Sequence, residues 1–186
     1  MNISMHSKLP KLFFFISTYN ENHIRKLQKN VAIIFRNYET KYSEELILSI
    51  KKACQKQGRK FFLANNLKLA IKLNLDGVYL PSFNKNINFN KNKFKKKFIL
   101  IGSAHSIQEI KIKEQQGVKL IFLSPLFKVK KNKKFLNPIK FNFLAAKTSK
   151  KVIALGGINQ LNLKKLNLLK NYGFAGISYF INQNNV

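Results

Sequence analysis

The chain has one cysteine, no tryptophan, four prolines and seven carboxylates against 35 lysines and arginines. Each shortage excludes something. Cys54 has no second thiol to pair with, so no internal disulfide forms and nothing argues for a secreted, disulfide-stapled class. Leu46, Ile47, Ile50 and Ala53 lie at helical spacing around it, which points to buried packing ahead of a nucleophilic role. Asp76 is the one aspartate, and of the three histidines His6 and His23 have no companion ligands, so no metal triad can be drawn. Long apolar runs are also missing. The stretch from Leu12 to Ile16 follows Lys8 and Lys11 but is too short for a signal-peptide core or a membrane span. A cytoplasmic protein with no membrane partner is expected.

What is present suits one globular domain over residues 1–186, with a folded body over about 12–180 and tails at 1–11 and 181–186. The 186 residues are 45% hydrophobic, enough for a sizeable core. A net charge of +28 raises nucleic acid or an acidic surface as a partner. Against that, the lysines are spread along the whole chain and accompany abundant Asn, Ile and Phe, the mixture an AT-biased coding sequence produces, whereas a basic arm is a localised block.

Eight short apolar runs recur: 12–18, 31–36, 60–64, 77–80, 98–103, 120–125, 151–157 and 174–180. Several lack alternation, as strands covered on both faces do. Helical patterns lie between most of them, at 21–28, 41–57, 67–73, 106–116 and 139–146. Ser106 with Glu109 forms a capping box, and Gly117 is placed to end that helix. A further helix is expected over 159–172 from Leu163, Leu166 and Leu169. Residues 82–97 hold no period and form a loop. The order predicts an α/β fold, a (β/α)8 TIM barrel with parallel strands, small and with thinned helices, since such barrels usually need roughly 250 residues. An open doubly wound sheet is the alternative.

In a barrel, chemistry belongs at the C-terminal ends of the strands. There the sequence offers Thr18, Arg36, Tyr38, Asn65, Asn66, Ser82, Ser103, His105, Ser124, Gly156, Gly157, Gly176, Ile177 and Ser178. Donors dominate and carboxylates are nearly absent. Arg36 brings a planar fork suited to phosphate, and Lys128, Lys130, Lys131, Lys133 and Lys134 make a basic loop after the sixth strand. Gly156-Gly157 reads either as a tight turn or as backbone amides for an anion where a helix begins. Its position after the seventh of eight strands favours a phosphorylated ligand. His105 is placed either for acid–base work or for capping the next helix. Phe83, Phe89, Phe94 and Phe98, interleaved with Lys85, Lys91, Lys93 and Lys95 to Lys97, offer stacking platforms for a single strand or packing against helices.

Several strand ends together resemble the thiamine phosphate synthase and thiazole tautomerase family. The stretches are Ile-Gly-Ser-Ala-His-Ser at 101–106, Leu-Ser-Pro-Leu-Phe at 123–127, Ile-Ala-Leu-Gly-Gly-Ile at 153–158, Gly-Phe-Ala-Gly-Ile-Ser at 173–178 and Asp-Gly-Val-Tyr-Leu at 76–80. The resemblance implies a barrel joining a hydroxymethylpyrimidine pyrophosphate to a thiazole phosphate, with pyrophosphate released and Mg²⁺ assisting. It makes Arg36 the pyrophosphate arginine and Asn65 the asparagine after the third strand. Gly157 and Ser178 fall in the thiazole phosphate pocket, and Ser103 matches the serine after the fifth strand, one residue short of the usual spacing.

The departures are equally specific. Tyr38 stands where the family has a lysine and Ile34 where it has a glutamine, while Asn66 and Asn84 occupy its acidic positions. Val129, Lys131 and Asn132 replace the threonines and lysine of the sixth-strand loop, and Pro125 replaces the tautomerase histidine. Mg²⁺ is therefore expected from the family but lacks its aspartates, with Glu39 the one nearby substitute.

Three functions remain. The first is a synthase with a rewired pyrophosphate site, using Arg36, Ser103 and His105 as catalytic residues. In it Asn65, Asn66, Ser82, Ser124, Lys131, Lys134, Gly156, Gly157, Gly176, Ile177 and Ser178 hold the substrates. The second is a barrel that binds thiazole phosphate without transfer. The third is a basic nucleic-acid-binding module.

Overall fold

A computed structural model describes residues 9–89, 94–129 and 134–182. His6, Lys91, Lys93, Lys130, Lys131, Asn132 and Lys133 lie outside the described residues. Eight parallel strands close in chain order, with β1 paired to β8: β1 (Leu12–Ile16), β2 (Val31–Phe35), β3 (Phe61–Ala64), β4 (Gly77–Leu80), β5 (Ile99–Ala104), β6 (Leu120–Leu123), β7 (Lys151–Leu155) and β8 (Gly173–Gly176). Between or after them run α1 (Glu21–Lys26), α2 (Glu44–Lys56), α3 (Leu67–Lys72), α4 (Ile107–Gln116), α5 (Asn137–Ala145), a 3₁₀ helix (Gln160–Leu168) and α6 (Ser178–Asn182). This is a (β/α)8 TIM barrel, and the open-sheet alternative falls with its closure. No described helix is long and apolar enough to cross a membrane.

Non-alternating runs have a direct cause: both faces of each strand are covered, by different layers. Phe13, Phe15, Ala32, Ile34, Phe62, Tyr79, Ile101, Phe122 and Ile153 fill the barrel interior, while Phe14, Ile33, Leu63, Val78, Leu100, Ile121 and Val152 pack outward under the helices. Cys54 belongs to the outer layer and is fully buried; burial pushes its thiol up to about 12, which removes it as a nucleophile at neutral pH.

Two elements depart from expectation. Within the expected helix of 159–172, a 3₁₀ helix over Gln160–Leu168 forms rather than an α-helix. The physical reason lies in the leucines: Leu163, Leu166 and Leu169 recur every third residue, the period of a 3₁₀ turn, and all three pack on the outer core. The last run, 174–180, is not one strand. β8 stops at Gly176 and the chain folds back as α6, bringing Phe180 within 5.9 Å of Phe174, ring to ring. Six residues of extended chain would hold those rings roughly 20 Å apart.

At α4 the Ser106 half of the expected capping box forms, while the Glu109 carboxylate accepts the His105 amide at 2.6 Å instead of the Ser106 amide. The Ser106 hydroxyl accepts from the Glu109 amide at 3.3 Å, and Gly117 closes α4 in the left-handed region at φ 80°. Strand lengths of 4 to 6 residues and helices as short as 5 explain how the barrel closes in so short a chain.

Candidate functional site

The interior layer ends upward in an aromatic floor. Phe15, Tyr79 and Phe122 meet edge to face, with ring centroids 5.2 to 6.2 Å apart. Ser103, two residues above Ile101 on the same inward row, is buried and hydrogen-bonds the Tyr79 phenol. Burial pushes that phenol up, the serine bond opposing, so Tyr79 stays neutral.

Above the floor stands Arg36. It continues the inward alternation of Ala32 and Ile34, and its amide extends the ladder to the Ile16 carbonyl at 2.8 Å. Its guanidinium lies 4.6 Å over the Phe15 ring, a stacking that fixes the fork. From there it lines two cavities. One, of about 560 Å³, is bounded by Ser124, Lys128, Leu155, Gly156, Gly157, Asn159, Gly176, Ile177 and Ser178. The other, of about 750 Å³, is bounded by Ser17, Thr18, His23, Tyr38, Glu39 and Ile181. Both volumes suit small ligands.

The glycine turn is shaped by the loop it packs against. Gly156 and Gly157 have φ of 98° and 72°, and a Cβ on either would come within 2.8 Å of Pro125 or of the Lys128 carbonyl. The Leu126 amide bonds the Leu155 carbonyl at 2.8 Å and the Phe127 amide bonds Gly156 at 3.1 Å. The loops after β6 and β7 are thus zipped together, which carries Lys128 to the cavity edge. The Gly157 carbonyl is taken by the Asn162 side chain at 2.8 Å, and Asn159 and Asn162 cap the 3₁₀ helix reciprocally. A cavity bounded by the Arg36 fork, a lysine, glycine backbone and a serine is an anion site in its chemistry.

On the opposite side of the mouth the polar groups serve one another. His105 Nδ1 lies 2.6 Å from the Ser124 carbonyl, which only accepts, so this nitrogen carries the proton. Nε2, 3.1 Å from the Ser82 hydroxyl, is then the acceptor in the neutral ring. Helix capping falls to Ser106 rather than to the His105 ring, leaving the imidazole at the mouth. Asn65, held at φ 56°, receives the Asn84 amide on its Oδ1 at 2.7 Å. Asn66 Oδ1 accepts the Leu69 amide at 3.1 Å as the cap of α3, and the residue faces an outer groove with Thr40 and Lys68. Lys134 is exposed.

Arg36, Ser124, Gly156, Gly157, Gly176, Ile177 and Ser178 therefore meet around one cavity. Ser82 and His105 join them through Ser124. Ser103 lies beneath, and Asn65 and Asn66 stand apart.

Sequence reasoning missed two features. Tyr38, on a cavity wall shared with Arg36, and Phe83 pair edge to face at 5.6 Å, both exposed. Lys113 is fully buried, and its signal was available: it sits three residues after Ile110 on the stripe of α4 that faces the core. The expected stacking row divides, since Phe89, Phe94 and Phe98 pack against the outer core and Phe83 alone of the four is exposed. Among the described residues no group of three or more His, Cys, Asp or Glu could hold a metal ion. Asp76, at the far end of β4, bonds the Phe61 amide and pairs with Lys60.

The fold agrees with known proteins. A candidate thiamine-phosphate synthase 2 of Aquifex aeolicus is 29% identical over 94% of this chain and 99% of its own. The thiamine-phosphate synthase of Flavobacterium johnsoniae is 31% identical over 80% of this chain and 72% of its own. The solved thiamine phosphate pyrophosphorylase of Pyrococcus furiosus superposes with a TM-score of 0.76 over 91% of this chain and 86% of that one, at 19% identity, a likeness of fold. The family model for thiamine monophosphate synthase matches residues 18–180, from two residues past β1 into α6. With that span matched, the chain belongs to the thiamine monophosphate synthase family, transferases of thiamine biosynthesis.

Proposed function

We propose that the chain joins a hydroxymethylpyrimidine pyrophosphate to a thiazole phosphate, forming thiamine phosphate. The observation that carries this is the place of Arg36, over the aromatic floor and on the wall of both cavities. The bond between the pyrimidine methylene carbon and the pyrophosphate oxygen breaks, its electron pair leaving with pyrophosphate. The thiazole nitrogen lone pair then forms the new C–N bond to that carbon, and no proton need move. Arg36 meets the charge growing on the leaving group, an interaction stronger in the transition state than before it. The Tyr79 and Phe122 rings beneath offer negative π-faces to the short-lived pyrimidine cation and keep water from it. Gly156, Gly157, Gly176 and Ser178 hold the thiazole phosphate, while His105, Ser82 and Ser124 are polar contacts for the pyrimidine.

A second reading has its own observation. Asn65 and Asn84 are bonded to each other, as suits a barrel that binds thiazole phosphate and no longer transfers. The two separate in one experiment. Purified protein with both substrates and Mg²⁺ is expected to form thiamine phosphate; none at high enzyme concentration, with thiazole phosphate still bound by calorimetry, establishes the binding protein instead.

A further inference from the structure

Mg²⁺ is held by one or two carboxylates together with substrate phosphates, in near-octahedral geometry. The donors at this mouth do not fit it. Asn65 Oδ1 is taken by Asn84 at 2.7 Å and Asn66 Oδ1 by the Leu69 amide at 3.1 Å. Asn84 is itself held from below: its carbonyl accepts from Lys113 Nζ at 2.8 Å and from Gln116 Nε2 at 2.9 Å. Lys113 reaches this place because Gly102 lets its stem cross β5; a Cβ there would lie 2.8 Å from the lysine Cδ. Its ammonium also donates to the Pro81 carbonyl at 2.7 Å and to Gln116 Oε1 at 2.9 Å, so all three N–H groups are used. Where acidic side chains would clasp a metal, an amide-to-amide bond stands on a buried ammonium.

The remaining mouth carboxylate among the cavity-lining residues, Glu39, borders the cavity that does not contain the glycine turn. Arg36 borders both cavities. Arg36 and Lys128 border the glycine-turn cavity together. The ion pairs found among the described residues, Lys56–Glu21, Lys60–Asp76 and Lys72–Glu44, leave both outside them. A fork and a point charge, both within reach of one diphosphate, supply the two units of charge a divalent ion would bring.

We propose that this chain takes up its diphosphate ligand without a divalent metal, Arg36 and Lys128 being the counter-charges and the Asn65–Asn84 pair closing the place where a metal would enter. The inference rests on the mouth being a diphosphate site, as in the proposed reaction. Calorimetry of the whole protein with inorganic pyrophosphate, once in EDTA and once in Mg²⁺, tests it. The dissociation constant is expected to agree between the two within about threefold, and Arg36→Ala or Lys128→Ala to raise it about tenfold or more in both, the scale of a lost charge-assisted bond. Binding that requires Mg²⁺, or tightens about tenfold with it, overturns the inference and leaves the proposed reaction standing. No binding of pyrophosphate in either buffer overturns both. The wild-type comparison needs no variant to fold.

Discussion

Gly157 shows how a single missing side chain can carry both fold and site. Its φ of 72° strains any other residue, and a Cβ would press on the Lys128 carbonyl at 2.8 Å. Gly58 separates the two effects, because it has φ 62° with nothing within 4 Å of its Cβ position. Gly58→Ala is expected to cost only the left-handed conformation, about 1 kcal/mol. Gly157→Ala adds the clash and is expected to cost about 2–4 kcal/mol and to weaken phosphate binding, since the loop that positions Lys128 must move. Urea denaturation of both variants, with phosphate calorimetry on Gly157→Ala, checks this; equal losses in the two would show that the β6 loop yields freely. The Gly-Gly pair was plain in the sequence. What it packs against was not, because Pro125 and Lys128 approach it through the closure of neighbouring strands.

At the scale of the element, α4 carries a charge into the core. Burial drives the Lys113 ammonium down to about 8 from its ordinary 10.5, the Glu109 carboxylate opposing. A depressed lysine means that between about pH 8 and 10.5 the unfolded chain binds more protons than the folded one, so this residue's contribution to stability rises with pH across that window. Below it both states are protonated and the burial cost is constant. The difference in unfolding free energy between wild type and Lys113→Met, followed by urea denaturation from pH 7 to 10, is expected to move in favour of wild type above about pH 8, by on the order of 1–3 kcal/mol in all. A difference flat across the window would mean that the ammonium is solvated. The elements themselves were readable where period or caps decided them: all eight strands, the Ser106 cap and Gly117 stop of α4, and the loop after β4. They were unreadable where tertiary packing decided. The leucine triad of 163, 166 and 169 satisfies a helix stripe as well as a 3₁₀ edge, and the run 174–180 hides a reversal that only the stacking of Phe174 on Phe180 makes visible.

For the whole molecule the question is what a charge of +28 does. The aromatic row that suggested a single-strand groove is mostly consumed in packing: Phe94 lies against Phe98 with centroids 5.3 Å apart, and both rest on the outer core with Phe89. With most of that row packed away, lysines spread along the chain give a diffuse field. A diffuse field raises the local concentration of anions and speeds their encounter, and it is screened by salt within about 10 Å at 0.1 M. The Arg36–Lys128 contacts act at short range inside a cavity and are screened less. The two contributions therefore part under ionic strength. Raising NaCl from 50 to 500 mM is expected to slow pyrophosphate association by about tenfold while changing its dissociation rate by less than about twofold, because steering sits in the encounter and the fork in the bound state. Single-stranded RNA, which would rely mainly on the field, is expected to bind weakly at 50 mM and not measurably at 500 mM. Stopped-flow measurements and RNA titrations at both salts check this. RNA binding that survives 500 mM and competes with pyrophosphate would make the surface charge a recognition device rather than a background.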